Sequence, residues 1–479
     1  MGRKTTKRIK TPYLYLKATY LVAFFVGIIR IFTKDMQRTI RIFKTDDIGK
    51  FKSNLLNWSQ QFETLLWLDS NNHNQQYSSF DCALAAEDFT SIKTDYYNAF
   101  EKLKEYQTIT KDYIFGYITY DVKNDIEQLS SSNFDGLNFA DLYFFQPKKL
   151  IFIKKERIEF HYLRMIDDQI ESDFEEIKKT KSRTIQKTNS EINIKLRIPQ
   201  KEYHSKIGKI LAHIQRGDIY EANFCQEFYA ENASINPVEV YKHLNKISEP
   251  PFASFLKLDN KIALCASPER YIKKEGLKII SQPIKGTAKR VQSKFDDTQL
   301  ASNLMQDQKE RAENVMIVDL VRNDLSKTAK KGSVKVEELC KVYSFKQVHQ
   351  LISTVVSEIK ENTHPVDVIK DTFPMGSMTG APKVAAMKII EDVEESKRGL
   401  YSGTVGYFTP ESDFNFNVVI RSILYNADKK YVSYSVGGAI TAKSIPDKEY
   451  EECLLKAKAM KYVLLNQNNK EDVTSRGPF

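Results

Sequence analysis

Residues 399–441 carry three apolar runs, GLYSGTVGYF (399–408), FNFNVVIRSILY (414–425) and YVSYSVGGAIT (431–441), parted by TPESD and NADKK. Each run is rich in aromatic and β-branched residues, which suit a pleated surface. The gaps hold Pro, Asp, Asn and Ser, the residues of turns. The pattern predicts three successive strands, and residues 448–465 predict a closing helix behind them. Strands grouped like this, with helices placed between groups and no regular βαβ rhythm, predict an α+β fold with mainly antiparallel sheet.

The same reading extends upstream. In residues 201–216, Ile207, Ile210, Leu211 and Ile214 share one helical face, which Gly217 ends. IYEANFCQEFYA (219–230) and FASFLKL (252–258) predict strands, and KIALCASPERYIKKEGLKIISQPIKGT (261–287) reads as a hairpin-like run turning at Glu275-Gly276. Helices are predicted over 308–325 and 382–393, the latter opening on a proline. Before residue 163 the chain reads as short strands and loops, as in FETLLWLDSN (62–71), FDCALAAEDF (80–89) and YIFGYITYDV (113–122). Residues 166–200 are poor in large apolar groups and predict an exposed polar connector. The expected organisation is an extension over 1–35, an N-terminal subdomain over 36–165, the connector, a catalytic region over 201–465 and a polar tail over 466–479.

The net charge of +10 is unevenly spread across the 479 residues. Residues 1–35 hold eight Lys or Arg against Asp35 alone, so the remaining body is nearly balanced and does not suggest a nucleic-acid partner. Lys17 and Arg30 bracket twelve residues, too few to span a bilayer. The expectation is that translation starts at Met36, with a leader or anchor as the alternative and a membrane role disfavoured. Five scattered cysteines (Cys82, Cys225, Cys265, Cys340, Cys453) make no CxxC pair and predict reduced core thiols in the cytoplasm.

Three features carry chemistry. Glu310 and Glu313, and likewise Glu449 and Glu452, are three apart and share a helix face, with Lys456 extending the second. Carboxylates of this kind suit Mg²⁺, though solvated helix faces look the same. Glycine-rich turns at PMGSMTGAPK (374–383), YSGTVGY (401–407) and VGGAIT (436–441) let backbone N–H groups approach an anion, or serve as plain turns. In PIKGT (283–287), Lys285 follows an apolar strand, a place that offers either desolvation, with a pKa lowered toward a neutral nucleophile, or plain exposure at a strand end.

SPER (267–270), PIKGTAKR (283–290), RAENVMIVDLVRNDLS (311–326), FPMGSMTGAPK (373–383), RGLYSGTVGY (398–407) and DKEYEECLLKA (447–457) occur in that order. Together they resemble the chorismate-binding enzymes, a family that includes anthranilate, aminodeoxychorismate, isochorismate and salicylate synthases. LLWLDSN and FDCALAAE resemble the family's N-terminal part more loosely. The resemblance implies a large two-sheet core with helices outside and chorismate bound between the sheets. It implies Mg²⁺ on Glu313 and Glu452, supported by Glu310 and Glu449, gripping the ring carboxylate. It assigns the enolpyruvyl carboxylate to Arg421, Tyr401 and the backbone of Gly437 and Gly438, with Lys456 and Thr287 completing the contacts.

Lys285 selects the branch, because members that aminate chorismate at C4 resemble this chain in reading PIKGT, whereas anthranilate synthases usually have alanine at the lysine. The implied chemistry is attack of Lys285 on C2 as the 4-hydroxyl departs, then addition of ammonia at C4 and expulsion of the lysine. The nitrogen would come from a glutamine amidotransferase partner. GDIYEANFCQ also resembles that branch, whose members tend to read GDIYQVN, so Glu221 and Cys225 depart from it. A second departure is VHQLIS (348–353), where the family commonly has histidine before the apolar pair and this chain has Gln350, preceded by His349. Glutamine cannot titrate. Either residue is therefore a candidate to assist the leaving hydroxyl, although neighbours on a strand face opposite ways.

Overall fold

The computed structural model of the chain describes residues 37–73, 76–127, 129–180 and 192–467. The expected extension over 1–35 and the tail beyond Gln467 lie outside the described residues.

Strand-forming runs here are apolar on both faces, and the architecture explains why. In Thr64–Asp69, Leu65 and Trp67 enter one core cluster while Leu66 enters another; in Cys82–Thr94, Cys82, Leu84 and Ala86 alternate with Ala83 and Ala85 in the same way. One cluster lies between the first sheet and its covering helices, the other between two sheets. A strand buried on both faces reads as a continuous apolar run, not as an alternation.

Every strand ladder is antiparallel. The first sheet runs in space from Arg38–Phe43 through 157–163, 142–154, 82–94, 64–69, 252–258, 261–267, 422–426 and 431–441 to Glu221–Ala230. The second leaves the first half of Leu142–Lys154 and continues through 114–118, 404–408, 414–417, 270–275, 278–289 and 348–358 to Lys335–Ser344. The N-terminal strands are thus interleaved with those of the catalytic region: Thr64–Asp69 pairs with Phe252–Leu258, and Ile114–Ile118 with Thr404–Phe408. This is the expected two-sheet, mainly antiparallel α+β core with helices outside.

Three expectations are corrected. The run 414–425 is two strands, Phe414–Asn417 in the second sheet and Ser422–Asn426 in the first. The chain crosses between sheets at 418–421, and because Val418 and Val419 are wholly buried the crossing leaves no polar gap in the sequence. The run 261–287 hides a like crossing at Pro268 and Glu269, and the crossings touch, with Val418 N–H donating to the Glu269 carbonyl at 3.1 Å. The polar connector is also partly wrong. Ile170–Lys179 is a helix with Ile170, Phe174 and Ile177 buried, and Phe174 stacks on Phe43 at 4.1 Å between ring centroids. Its apolar stripe is only three residues wide, which left the composition polar. Residues 181–191 lie outside the described residues.

Candidate active site

The PIKGT turn places Lys285 where the two sheets meet. Strand Ile284–Lys289 pairs with Val348–Glu358, and its register shifts between Ile284 and Thr287. Gly286 sits in that irregularity at φ +93°, where an added Cβ would lie 3.0 Å from Leu351 Cδ1 and 3.2 Å from Glu310. Glycine alone accepts both the left-handed backbone and the tight space. Asn314, on helix Gln308–Ser326, fixes the turn by donating to the carbonyls of Lys285 and Leu351, both at 3.3 Å. Lys285 then reaches across to the first sheet, where its Nζ donates to Glu221 Oε1 at 3.1 Å.

Burial presses Lys285 toward the neutral amine, but Glu221, Glu313 and Glu269 outweigh it and hold the ammonium above the ordinary lysine range. The downward shift that desolvation alone would give is therefore reversed. The physical reason is charge, since three acids surround the one amine.

Helices Gln308–Ser326 and Pro446–Leu465 bring the two carboxylate pairs toward one another. Burial pushes Glu313 up to about 7, opposed by Lys285 and reinforced by Glu310. Burial also raises Glu310 and Glu449, with a contribution from Glu452 in both cases. Glu452 moves the other way: burial would raise it, but Lys456, Lys309 and Lys285 hold it below its ordinary value. Lys456 bonds Glu452 at 2.7 Å and donates to the Gly437 carbonyl at 2.9 Å.

The residues expected to receive a carboxylate lie at the sheet crossing and beside it. Arg421 ends the 418–421 crossing at φ +54°, and burial lowers its guanidinium against the pull of Tyr401 and Glu452. The Tyr401 hydroxyl accepts from Cys225 Sγ at 3.7 Å. Cys225 lies opposite Gly437 across the ladder, and a Cβ on Gly437 would come within 2.5 Å of its sulfur. A Cβ on Gly438 would face Glu449 Oε2 at 3.4 Å. Thr287 is exposed and stands opposite Gln350 in the ladder.

The two candidates on the neighbouring strand separate as alternation requires. His349 is buried with its ring nitrogens 2.8 Å from Ser344 Oγ and 3.1 Å from Asp297 Oδ1, facing helix Lys294–Gln306. The structure therefore does not bring His349 to the Lys285 cluster. Gln350 faces the other way beside Thr287, and its buried Oε1 has no partner among the described residues.

Sequence reasoning missed Glu269, although SPER contains it. It lies at the sheet crossing, 4% exposed, and Ser377 Oγ of the PMGSMTGAPK turn donates to its Oε1 at 2.8 Å. Burial pushes it up to about 7, against Ser377 and Lys285. A carboxyl poised there can give or take a proton at neutral pH. Its only sequence signal was an acid set directly after Ser-Pro within an otherwise apolar run.

Among the described residues no three acidic, histidine or cysteine side chains converge as a ready-made ligand group. Mg²⁺ does not require one, because it commonly takes one or two carboxylates and completes its octahedron with water and substrate. Half-buried Glu313 and Glu310, opposed by Glu452 and Glu449, offer hard oxygen donors raised mainly by burial, a donor chemistry that fits this ion.

A family profile described as "chorismate binding enzyme" matches residues 63–462. The anthranilate synthase component 1 of Aquifex aeolicus is 32% identical over 376 residues, 75% of this chain and 76% of that one. The aminodeoxychorismate synthase component 1 of Bacillus subtilis is 30% identical over 73% and 76%, and that of Salmonella typhimurium 38% over 55% and 58%. Anthranilate synthase component I from Streptococcus pneumoniae shares the fold at a TM-score of 0.71 and 24% identity, covering 81% of this chain and 94% of that one. By this match and these relatives the chain belongs to the chorismate-binding enzyme family and is a chorismate-utilising enzyme.

Proposed function

We propose that this enzyme is component I of aminodeoxychorismate synthase, replacing the 4-hydroxyl of chorismate by an amino group on the way to p-aminobenzoate and folate. The observation that carries the reading is Lys285, a primary amine set 3.1 Å from Glu221 with Glu269 nearby. The alternative product, anthranilate, needs no enzymic amine in this position.

In this reading Arg421 and Tyr401 receive one carboxylate of chorismate, with the backbone at Gly437 and Gly438, while Thr287 and Lys456 orient the ring. Lys285 gives up a proton and bonds to C2. Glu269 hands a proton to the departing hydroxyl, which leaves as water, and regains one from Lys285. Gln350, with an uncommitted side-chain oxygen, is placed to hold the hydroxyl by hydrogen bonding and not by titration. Bound Mg²⁺, held by Glu313 and Glu452 with Glu310 and Glu449 behind them, would neutralise the ring carboxylate and ease loss of the hydroxyl. Ammonia then adds at C4 and expels Lys285.

The nitrogen source is a glutamine amidotransferase partner; relatives named "component 1" support a two-part enzyme. A cytoplasmic setting agrees with five buried, unpaired cysteines, and no described helix is long and apolar enough to cross a membrane. The test is incubation with chorismate, ammonium and Mg²⁺, followed by an aminodeoxychorismate lyase. p-Aminobenzoate is the expected product; anthranilate would reassign the enzyme within its family.

A further inference from the structure

Of the three glycine-rich turns, PMGSMTGAPK (374–383) is the one that the proposed mechanism leaves without a task. It is held along its whole length. Gly376 packs so closely on helix Gln308–Ser326 that an added Cβ would lie 2.7 Å from Leu320 Cδ2. Arg398 donates to the Met378 carbonyl at 2.6 Å, and the Asn223 N–H to the Thr379 carbonyl at 2.7 Å. Lys383 closes the turn, its Nζ donating to Asp324 Oδ2 at 2.5 Å and to the Thr372 carbonyl at 3.1 Å. The side chains of that ion pair are 9% and 5% exposed. Removing either partner would strand the other charge out of water, so the pair ties the turn firmly to the helix. What the braced turn presents to the site is Ser377, whose Oγ donates to Glu269 Oε1 at 2.8 Å. Behind these two residues lies a cavity of about 20 Å³, lined also by Asp324, Thr372 and Met375. It has room for one water, and so gives the Glu269 carboxyl somewhere to turn if nothing holds it.

We propose that Ser377 is the positioning residue of Glu269: its hydroxyl keeps the carboxyl turned toward Lys285 and out of the cavity, and the Lys383–Asp324 pair keeps Ser377 in place. The inference rests on the amination reading, in which Glu269 supplies the proton to the departing hydroxyl, and it gives the turn its task. The groups around Glu269 leave that task to Ser377. Lys285 faces the carboxyl from strand Ile284–Lys289, where the Ile284 N–H also bonds it, but Lys285 is shared with Glu221 and Glu313 and must move during the reaction. Arg270 turns its guanidinium away, to Gln282 and the Tyr77 carbonyl. Asp324, across the cavity, is already paired with Lys383. A hydroxyl that donates to a carboxyl also favours its ionised form, so loss of Ser377 should raise the pH at which Glu269 gives up its proton. Ser377 touches no substrate in this reading. It should therefore act on the rate and not on binding.

The test is steady-state kinetics of the whole chain across neutral pH, with saturating Mg²⁺, a fixed concentration of free ammonia and varied chorismate. Wild type is compared with Ser377→Ala, Ser377→Thr, Glu269→Gln and the double variant Ser377→Ala with Glu269→Gln. In Ser377→Ala, kcat is expected to fall roughly 10- to 100-fold, the scale for a misplaced catalytic group, while KM for chorismate holds. The decline of rate with rising pH should move upward by about one pH unit, the scale of one hydrogen bond to a carboxylate. Ser377→Thr, which keeps the hydroxyl, should restore both. Once Glu269 is glutamine, Ser377→Ala should cost nothing further, because the group it serves has gone. An unmoved pH limb in Ser377→Ala overturns the proposal. So does an undiminished further loss in the double variant, which support of the fold alone would give. Wild type that makes no amine from chorismate overturns the amination reading, and this inference with it.

Discussion

Replacing Lys285 by alanine removes the amine that the proposed mechanism bonds to C2 while leaving Glu221 and Glu269 in place. C4 amination is expected to fall by roughly three orders of magnitude or more, as when a covalent nucleophile is deleted. Chromatography of the products checks this, and undiminished aminodeoxychorismate would remove Lys285 from the mechanism. Some ortho product would show the same pocket admitting ammonia directly. Glu269→Gln tests the neighbouring acid, with an expected loss of about 10²–10⁴-fold in kcat. The sign in pH follows from burial. With a value near 7 in the fold, the protonated, working form is lost as pH rises through 7, so the wild-type rate should decline there and the variant should lack that limb. The same shift makes the stability contribution of Glu269 complete below about pH 4.3 and lost as pH rises toward 7.

Helix Ile170–Lys179 shows how an element can hide in polar sequence. Ile170, Phe174 and Ile177 are its apolar buried stripe, beside which buried Asp173 accepts from Lys149 and Tyr162, and the remaining positions carry polar or charged residues. Phe174 is 7% exposed and packs on Phe43, Phe51 and Phe160. Phe174→Ala should cost about 3–5 kcal/mol, the range for deleting a buried aromatic side chain, and chemical unfolding would read it; an unchanged midpoint would return 170–179 to a loose connector. The ladder carrying Gly437 makes a different prediction. A methyl group there meets Cys225 Sγ, so Gly437→Ala should lose about 1–3 kcal/mol through overpacking. Adding Cys225→Ala should return part of it, because the nearest clash is with that sulfur while Asn223 Oδ1 and the Phe224 carbonyl stay 3.1 Å from the new methyl group. Melting of the single and double variants measures the coupling.

At the scale of the whole molecule, what was legible in the sequence was local, and what was hidden depended on closure. Helix Gln200–Arg216 and its Gly217 stop, the turn at Gly276 and the spacing of Glu310 with Glu313 and Glu449 with Glu452 all follow from neighbours in the chain. The partnership of Thr64–Asp69 with Phe252–Leu258 does not, nor does the burial of Glu269 at a crossing whose two strands belong to different sheets. The reversed shift of Lys285 has the same origin, since Glu221 comes from the other sheet. Closure also brings the acid-bearing faces of helices Gln308–Ser326 and Pro446–Leu465 together, which spacing along either helix cannot reveal. At Glu310, Glu313 and Glu449 burial and neighbouring acids outweigh Lys285, Lys309 and Lys456, whereas at Glu452 the lysines prevail. A bound divalent cation should therefore stabilise the fold with the logarithm of its concentration above Kd, by about 2.7 kcal/mol at a hundred times Kd. Mg²⁺ is expected to raise the melting temperature of the substrate-free enzyme, and Glu313→Gln or Glu452→Gln should weaken that shift; Glu313→Gln should leave the metal-free melt equal or higher, because a buried charge beside Glu310 has been removed, whereas Glu452→Gln loses the Lys456 ion pair. Chelation should abolish amination and cancel the thermal shift together. A melt indifferent to Mg²⁺ in wild type would mean that the carboxylates bind the ion only when chorismate supplies the remaining oxygens, and repeating the titration with chorismate present would then show the shift.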